Sequence, residues 1–217
     1  MAVKLSKGQG VSLKKTEHDL GQITIGLGWD IAEEQPTGGF FAKLLGTTKE
    51  PEEYDLDVVA FLCGANGKVN DTGNLVPGRG PINGDIVFFN SMEHPSGQIR
   101  LTGDNRTGAG DGDDEQIIAN LEQLPERYQK IVFVVQIYQG IERQQNFGKV
   151  KNAFIRAVDR RGTELARFDI SGNASYANSR SLIFAELNRE ADGWQFKALG
   201  EAFATDFFGE ILKTRYL

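Results

Sequence analysis

The chain has 217 residues, with 24 Lys and Arg against 30 Asp and Glu, and its net charge of −6 argues against a general nucleic-acid binder, which needs a basic surface to displace phosphate counterions. Its single cysteine, Cys63, excludes an internal disulfide and a multi-thiolate zinc site and fits a reducing cytosol. No apolar run approaches the ~20 residues needed to cross a bilayer, and Met1 to Lys15 holds no signal-peptide core, so a soluble protein is expected.

In chain order, Ile23, Ile25, Leu27 and Trp29 alternate with Thr24, Gly26 and Gly28, which predicts a strand. The stretch from about 31 to 54 has Pro36, Gly38-Gly39 and Pro51 and no period, and is expected to be an irregular surface insertion. A strand is expected again over Asp55 to Leu62, with Asp55, Asp57, Val59 and Phe61 on one face. Ile86 to Asn90 and Gln98 to Thr102 are shorter strands. Ile131 to Tyr138 is apolar at almost every position and rich in β-branched residues, as a central strand covered on both faces would be. Asn152 to Val158, Ser181 to Leu187 and Trp194 to Leu199 follow. Phe203, Phe207 and Ile211 recur every four residues and predict an amphipathic helix over about 202–214, weakened by Gly209. Short strands punctuated by turn signals, in a chain with 26 glycines, predict an all-β sandwich in a single domain spanning residues 1–217.

Charge is unevenly spread. Residues 1–115 hold 10 basic and 18 acidic side chains, whereas residues 116–217 hold 14 and 12. Two clusters carry most of the negative charge: Lys49 to Asp57 and Asp104 to Glu115, each with five carboxylates and one cation. In the second, Gly103-Asp104-Asn105-Arg106-Thr107-Gly108-Ala109-Gly110-Asp111-Gly112-Asp113-Asp114-Glu115, the glycines let backbone carbonyls turn inward beside the carboxylates. Two like charges 4 Å apart repel by about 4 kcal/mol at an effective dielectric of 20, so convergence needs something to offset it. Mixed carboxylate and carbonyl oxygens in a flexible loop suit calcium better than magnesium. The loop is not an EF-hand, since Arg106, Gly108 and Ala109 occupy its third, fifth and sixth positions, and it lacks the lysine of a phosphate-binding P-loop. A solvated acidic loop is the plain alternative.

The calcium reading takes charge from Asp104, Asp113, Asp114 and Glu115, further oxygens from Asn105, Gly108, Gly110 and Gly112, and an opposite wall from Asp55, Asp57 and Asn90. That supply suffices for two ions. Arg156, Arg160, Arg161 and Arg167 give the second half its positive balance and read as solvated strand edges. Cys63 reads as a small core residue. No catalytic constellation is visible, so a binding or signalling module is expected; the alternative is a metal-dependent hydrolase acting on a phosphate or reactive small molecule, with His94 as its acid or base.

Several segments occur in the order seen in one family: Leu5-Ser6-Lys7-Gly8-Gln9, Gly26-Leu27-Gly28-Trp29-Asp30, Asp55-Leu56-Asp57, Phe88-Phe89-Asn90, the acidic loop, and Gln144-Gln145-Asn146-Phe147-Gly148 leading to Arg156. From about residue 2 to 200 the chain resembles the TerD family of tellurite-resistance and stress proteins. The resemblance implies a calcium-binding β-sandwich of two mainly antiparallel sheets, with the acidic loop and neighbouring strand ends as ligands. It also implies a cytoplasmic bacterial protein, peripheral at the inner face of the membrane when in a membrane-associated complex, whose partners are other stress-response proteins. The segment 31–54 is longer than in the shortest family members.

Overall fold

The computed structural model describes residues 2–31, 54–102, 112–170 and 174–217. Fourteen strands follow one another among them: β1 (Val3–Leu5), β2 (Gly10–Lys14), β3 (Ile23–Ile31), β4 (Leu56–Cys63), β5 (Asn74–Val76), β6 (Gly80–Ile82) and β7 (Ile86–Val87) in the first half. In the second half are β8 (Ile99–Thr102), β9 (Glu115–Ala119), β10 (Lys130–Ile137), β11 (Val150–Asp159), β12 (Glu164–Asp169), β13 (Ser181–Glu190) and β14 (Gly193–Phe203). They form two six-stranded sheets, ordered β1-β12-β11-β3-β9-β8 and β2-β14-β13-β10-β4-β7, with β5 and β6 as a separate hairpin. Every pairing is antiparallel except β1 with β12. The expected insertion 31–54 lies almost entirely outside the described residues.

Alternation explains the layers. Ile23, Ile25, Leu27 and Trp29 of β3 point inward to meet Leu56, Val58, Ala60 and Leu62 of β4 and Ile131, Phe133 and Val135 of β10 in the core between the sheets. β10 lies between β13 and β4, and its Val132 and Val134 face the other way. There they join Val59, Phe61 and Cys63 of β4 in a second apolar cluster, closed by the C-terminal helix. Two covered faces are why β10 shows no polar alternation.

The helix differs from its expected position. β14 continues to Phe203, and α1 begins at Phe208, running to Ile211 and on through a π-helical turn, Leu212–Tyr216. Phe208, Ile211 and Leu212 are its buried side chains, each worth about 1.5–3 kcal/mol on burial, while Phe207 is more than half exposed. The Phe208 ring lies 6.1 Å from Phe61 and 5.1 Å from Phe88, and the Val69 amide donates to the Tyr216 carbonyl at 2.8 Å. The expected strand Ile86 to Asn90 is also shorter: after β7 the chain turns tightly, with reciprocal backbone bonds between Phe88 and Ser91.

Candidate metal centre

β4 and β9 belong to different sheets and approach each other at the start of each strand. β7 pairs with β4 only at Ala60 and Phe61, which leaves the amide of Val58 to a different acceptor. That acceptor is Glu115, the first residue of β9, whose Oε2 takes the Val58 N–H at 2.6 Å. Glu115 is 1% exposed, and beside it on β4's approach Asp55 and Asp57 are 8% and 4% exposed. Three carboxylates in a nearly dry environment are costly unless charge or strong donors compensate them.

Glu115 is held across the sheets by Val58, whereas Asp57 and the backbone of Asp55 are held from their own sheet. Asp57 Oδ2 accepts from Gln136 Nε2 of β10 at 3.1 Å, and Gln136 Oε1 accepts from the Phe208 amide at 2.9 Å, so one side chain ties the carboxylate to the start of α1. The Asp55 carbonyl accepts from the Tyr138 amide at 2.8 Å, and the Tyr54 carbonyl accepts from Trp29 Nε1 at 3.1 Å. Asn90 is half-buried in the turn after β7, at the position before Ser91, and the antiparallel direction of β7 carries that turn toward the Asp57 end of β4.

The last limb of the acidic loop is seated on β3. Asp113 Oδ1 accepts from Arg156 Nε at 2.7 Å and Oδ2 from Gln116 Nε2 at 3.2 Å, and its side chain is 3% exposed. The Asp114 amide donates to the Leu27 carbonyl at 2.8 Å, and Asp114 Oδ2 accepts from the Trp29 amide at 2.9 Å. Gly112 is exposed, with φ of +115° that favours glycine. Asp104, Asn105, Gly108 and Gly110 lie outside the described residues.

Asp55, Asp57, Asn90 and Glu115 offer oxygen donors alone, as calcium prefers; Asp55 and Asp57 lie at the start of β4, and Glu115 heads β9, to which the loop leads from β8. Among the described residues no group of three His, Cys, Asp or Glu side chains is placed to hold a metal ion by itself. The described residues bring Glu115 to the amide next to Asp57 and carry the Asn90 turn toward the same end of β4.

His94 is elsewhere. Asp85 sits at the opposite end of β4 from Asp57, its carbonyl accepting from the Leu62 amide at 2.9 Å. The five residues from Asp57 to Leu62 span about 16 Å at the usual rise of a strand. His94, 1% exposed, places Nε2 3.2 Å from Asp85 Oδ1, which also accepts from Tyr128 Oη at 2.7 Å. Ser96 donates its amide to His94 Nδ1 at 3.1 Å, which leaves Nε2 to face Asp85. Burial pushes the Asp85 carboxyl up, but the bonds from His94, Tyr128 and the Asp71 amide outweigh it and hold the pKa below the ordinary value. Cys63 is fully buried in the second apolar cluster, and burial pushes its thiol up to about 12.

Arg156, Gln136, Gln116 and the glycines of β3 escape the sequence reading of the site. The signal available for Arg156 was its period-two spacing from Phe154 on β11, which marks one sheet face but not the partner there.

A TerD domain model matches residues 1–214. The chain belongs to the TerD domain family. Among its TerD-family relatives, tellurium resistance protein TerX of Serratia marcescens is 62% identical over 98% of this chain and 99% of its own. Stress response protein SCP2 of Bacillus subtilis (strain 168) is 40% identical over the full length of both. A solved Streptomyces coelicolor A3(2) structure, described as a homologue of the telluride resistance protein TerD, superposes with a TM-score of 0.59 over 87% of this chain and 93% of its own. At 21% identity that likeness is one of fold alone. Among the described residues no helix is long and apolar enough to cross a membrane.

Proposed function

We propose that this TerD-family protein is a calcium-binding module of the tellurium-resistance and stress response, without enzymatic activity of its own. The acidic loop 103–115 and the wall of Asp55, Asp57, Asn90 and Glu115 together hold two Ca2+ ions, and the ordered loop then presents a surface to other stress-response proteins. The observation that carries the reading is the burial of Asp55, Asp57 and Glu115 to 8%, 4% and 1%, with Glu115 bound to the amide next to Asp57 and at the end of a loop of further oxygens. Calcium supplies positive charge at that junction; the protein's share is to desolvate the carboxylates, orient them through Gln136 and the Val58 amide, and seat the loop on β3.

Two names among the relatives, tellurium resistance and stress response, support the biological setting. The hydrolase alternative gains nothing from His94, whose ring is committed to Asp85 and Ser96 at the far end of β4.

The test is thermal unfolding of chelator-stripped protein with calcium, magnesium or neither. A ligand at ~100 times its dissociation constant stabilises by about 2.7 kcal/mol, which is about 5–11 °C for a chain of this size. A calcium-selective rise of that order is expected; equal midpoints in all three conditions would sink the reading.

A further inference from the structure

Three neighbouring strands build the seat under the acidic loop, and their register explains it. On the outward face of the first sheet, Gly26 of β3 lies directly between Arg156 of β11 and Gln116 of β9. Having no side chain, Gly26 leaves a gap in that row, and the Asp113 carboxylate lies in it. A Cβ on Gly26 would overlap the carboxyl carbon and both oxygens of Asp113. The residues bracketing the gap are the ones that bind its occupant: Arg156 Nε holds Oδ1 at 2.7 Å and Gln116 Nε2 holds Oδ2 at 3.2 Å.

The next row repeats the device. Gly28 is paired with Phe154, whose ring covers it, and the Gly112 carbonyl stands 2.7 Å from where a Cβ of Gly28 would be. Arg167 stacks on that ring at 3.7 Å from its centroid and bonds Asp169 at 2.8 Å. Arg156 is itself oriented by Glu164, Nη1 to Oε2 at 3.1 Å, and the bond to Asp113 first, with that to Glu164, raises the guanidinium pKa above its ordinary value despite partial burial.

This seat is continuous in the chain with the buried Glu115. Asp113 is followed without a break by Asp114, fixed to the backbone of Leu27 and Trp29, and by Glu115, fixed to Val58 of the other sheet. Asp113 is thus the first of three consecutive residues that tie the end of the loop to both sheets. We propose that Arg156 is a positioning residue for calcium: it neutralises and clamps Asp113 on the gap over Gly26, and so sets where the loop's last limb, and with it Glu115, stands. Asp113 acts as the anchor of the loop. This inference rests on the calcium reading above.

Calorimetric titration of calcium into chelator-stripped protein tests it, with Arg156→Gln, Arg156→Lys and Arg167→Gln measured beside the unaltered chain. Loss of one hydrogen bond between charged groups is worth about tenfold in an equilibrium constant, so Arg156→Gln is expected to weaken calcium binding about tenfold. Arg156→Lys restores part of that affinity by keeping the charge. Arg167→Gln, which breaks the neighbouring ion pair and ring stack on the same face without touching Asp113, leaves affinity within twofold. The thermal midpoint without calcium separates positioning from stability, because a merely structural arginine would lower it in both variants without a difference in affinity. Should Arg156→Gln fail to fold, the Arg156→Lys and Arg167→Gln pair decides: equal affinities in those two overturn the proposal. Calcium binding by the unaltered chain together with unchanged affinity in Arg156→Gln also overturns it and leaves the calcium reading standing. Absence of binding by the unaltered chain sinks that reading and this inference with it.

Discussion

Gly26→Ala offers a test in which structure and intrinsic propensity predict opposite signs. Gly26 lies inside a strand and has no positive φ, so alanine there carries no backbone strain, and replacing a mid-strand glycine ordinarily stabilises by roughly 0.5–1 kcal/mol. The structure predicts the reverse, because the new methyl takes the place of the Asp113 carboxylate. Displacing it breaks the bond from Arg156, 27% exposed, and that from Gln116. A hydrogen bond between charged groups contributes about 1.5–3 kcal/mol, and after the propensity gain a net loss of about 2 kcal/mol remains. For a chain of this size that lowers the thermal midpoint by about 4–8 °C. Thermal and urea unfolding in chelator measure it without reference to calcium. The second leg of the experiment removes the occupant: in an Asp113→Ala background the gap is empty, and Gly26→Ala becomes neutral or stabilising. A Gly26→Ala protein as stable as the original, or a cost that persists after Asp113 is removed, would refute the reasoning that the glycine exists to seat this carboxylate.

Two further outcomes are expected away from the loop. Tyr128→Phe removes the Oη–H donated at 2.7 Å to Asp85, itself 5% exposed, and should cost about 1–3 kcal/mol in urea unfolding; a loss under 0.5 kcal/mol would mean that water replaces the hydroxyl. Burial pushes both the Cys63 thiol and, together with the bond to Asp85, the Tyr128 phenol up to about 12, from ordinary values of 9.0 and 10.0, and it pushes Tyr216 up as well. Each raised pKa means that the folded state holds its proton more tightly. The stability they contribute is complete below about pH 9 and is lost as pH rises toward 12, so the thermal midpoint should fall across that window and fall less in Cys63→Ala. The same burial should leave Cys63 unreactive to iodoacetamide at pH 8 until denaturant is added, and rapid labelling of native protein would contradict its placement.

How much of this was legible depends on whether a residue's partner is local. β10 is plain in the sequence because two covered faces demand an unbroken run of apolar, mostly β-branched residues, a property of the segment itself. The C-terminal helix was legible in kind but not in phase. Phe203 belongs to the end of β14 and yet packs against the same outer cluster as α1, so a strand residue and a helix residue fall into an apparent four-residue repeat that no single helix carries. β9 was hidden for a related reason. Its inward row is Glu115, Ile117 and Ala119, and a buried carboxylate at the head of a strand reads as the tail of an acidic loop until the amide of Val58, from the other sheet, is known to receive it.

Arg156 shows the limit most clearly. From sequence it is an arginine on an alternating strand, for which a solvated edge is the ordinary reading, and Gly26 and Gly28 are small residues on the polar face of another strand. Only the antiparallel register sets Arg156 opposite Gly26 and Phe154 opposite Gly28, and only the return of the chain through 112–115 brings an acid to the space between. The pairing of a missing side chain on one strand, a cation on the next and a carboxylate from a loop some 85 residues later in sequence is a three-body arrangement, whereas period and composition report on one segment at a time. The carboxylate count was therefore visible while the division of labour was not. Asp113, with both oxygens bound to the sheet, anchors the limb whose next two residues reach Trp29 and Val58, and the proposed dependence of Glu115 on an arginine in another strand rests on that anchoring.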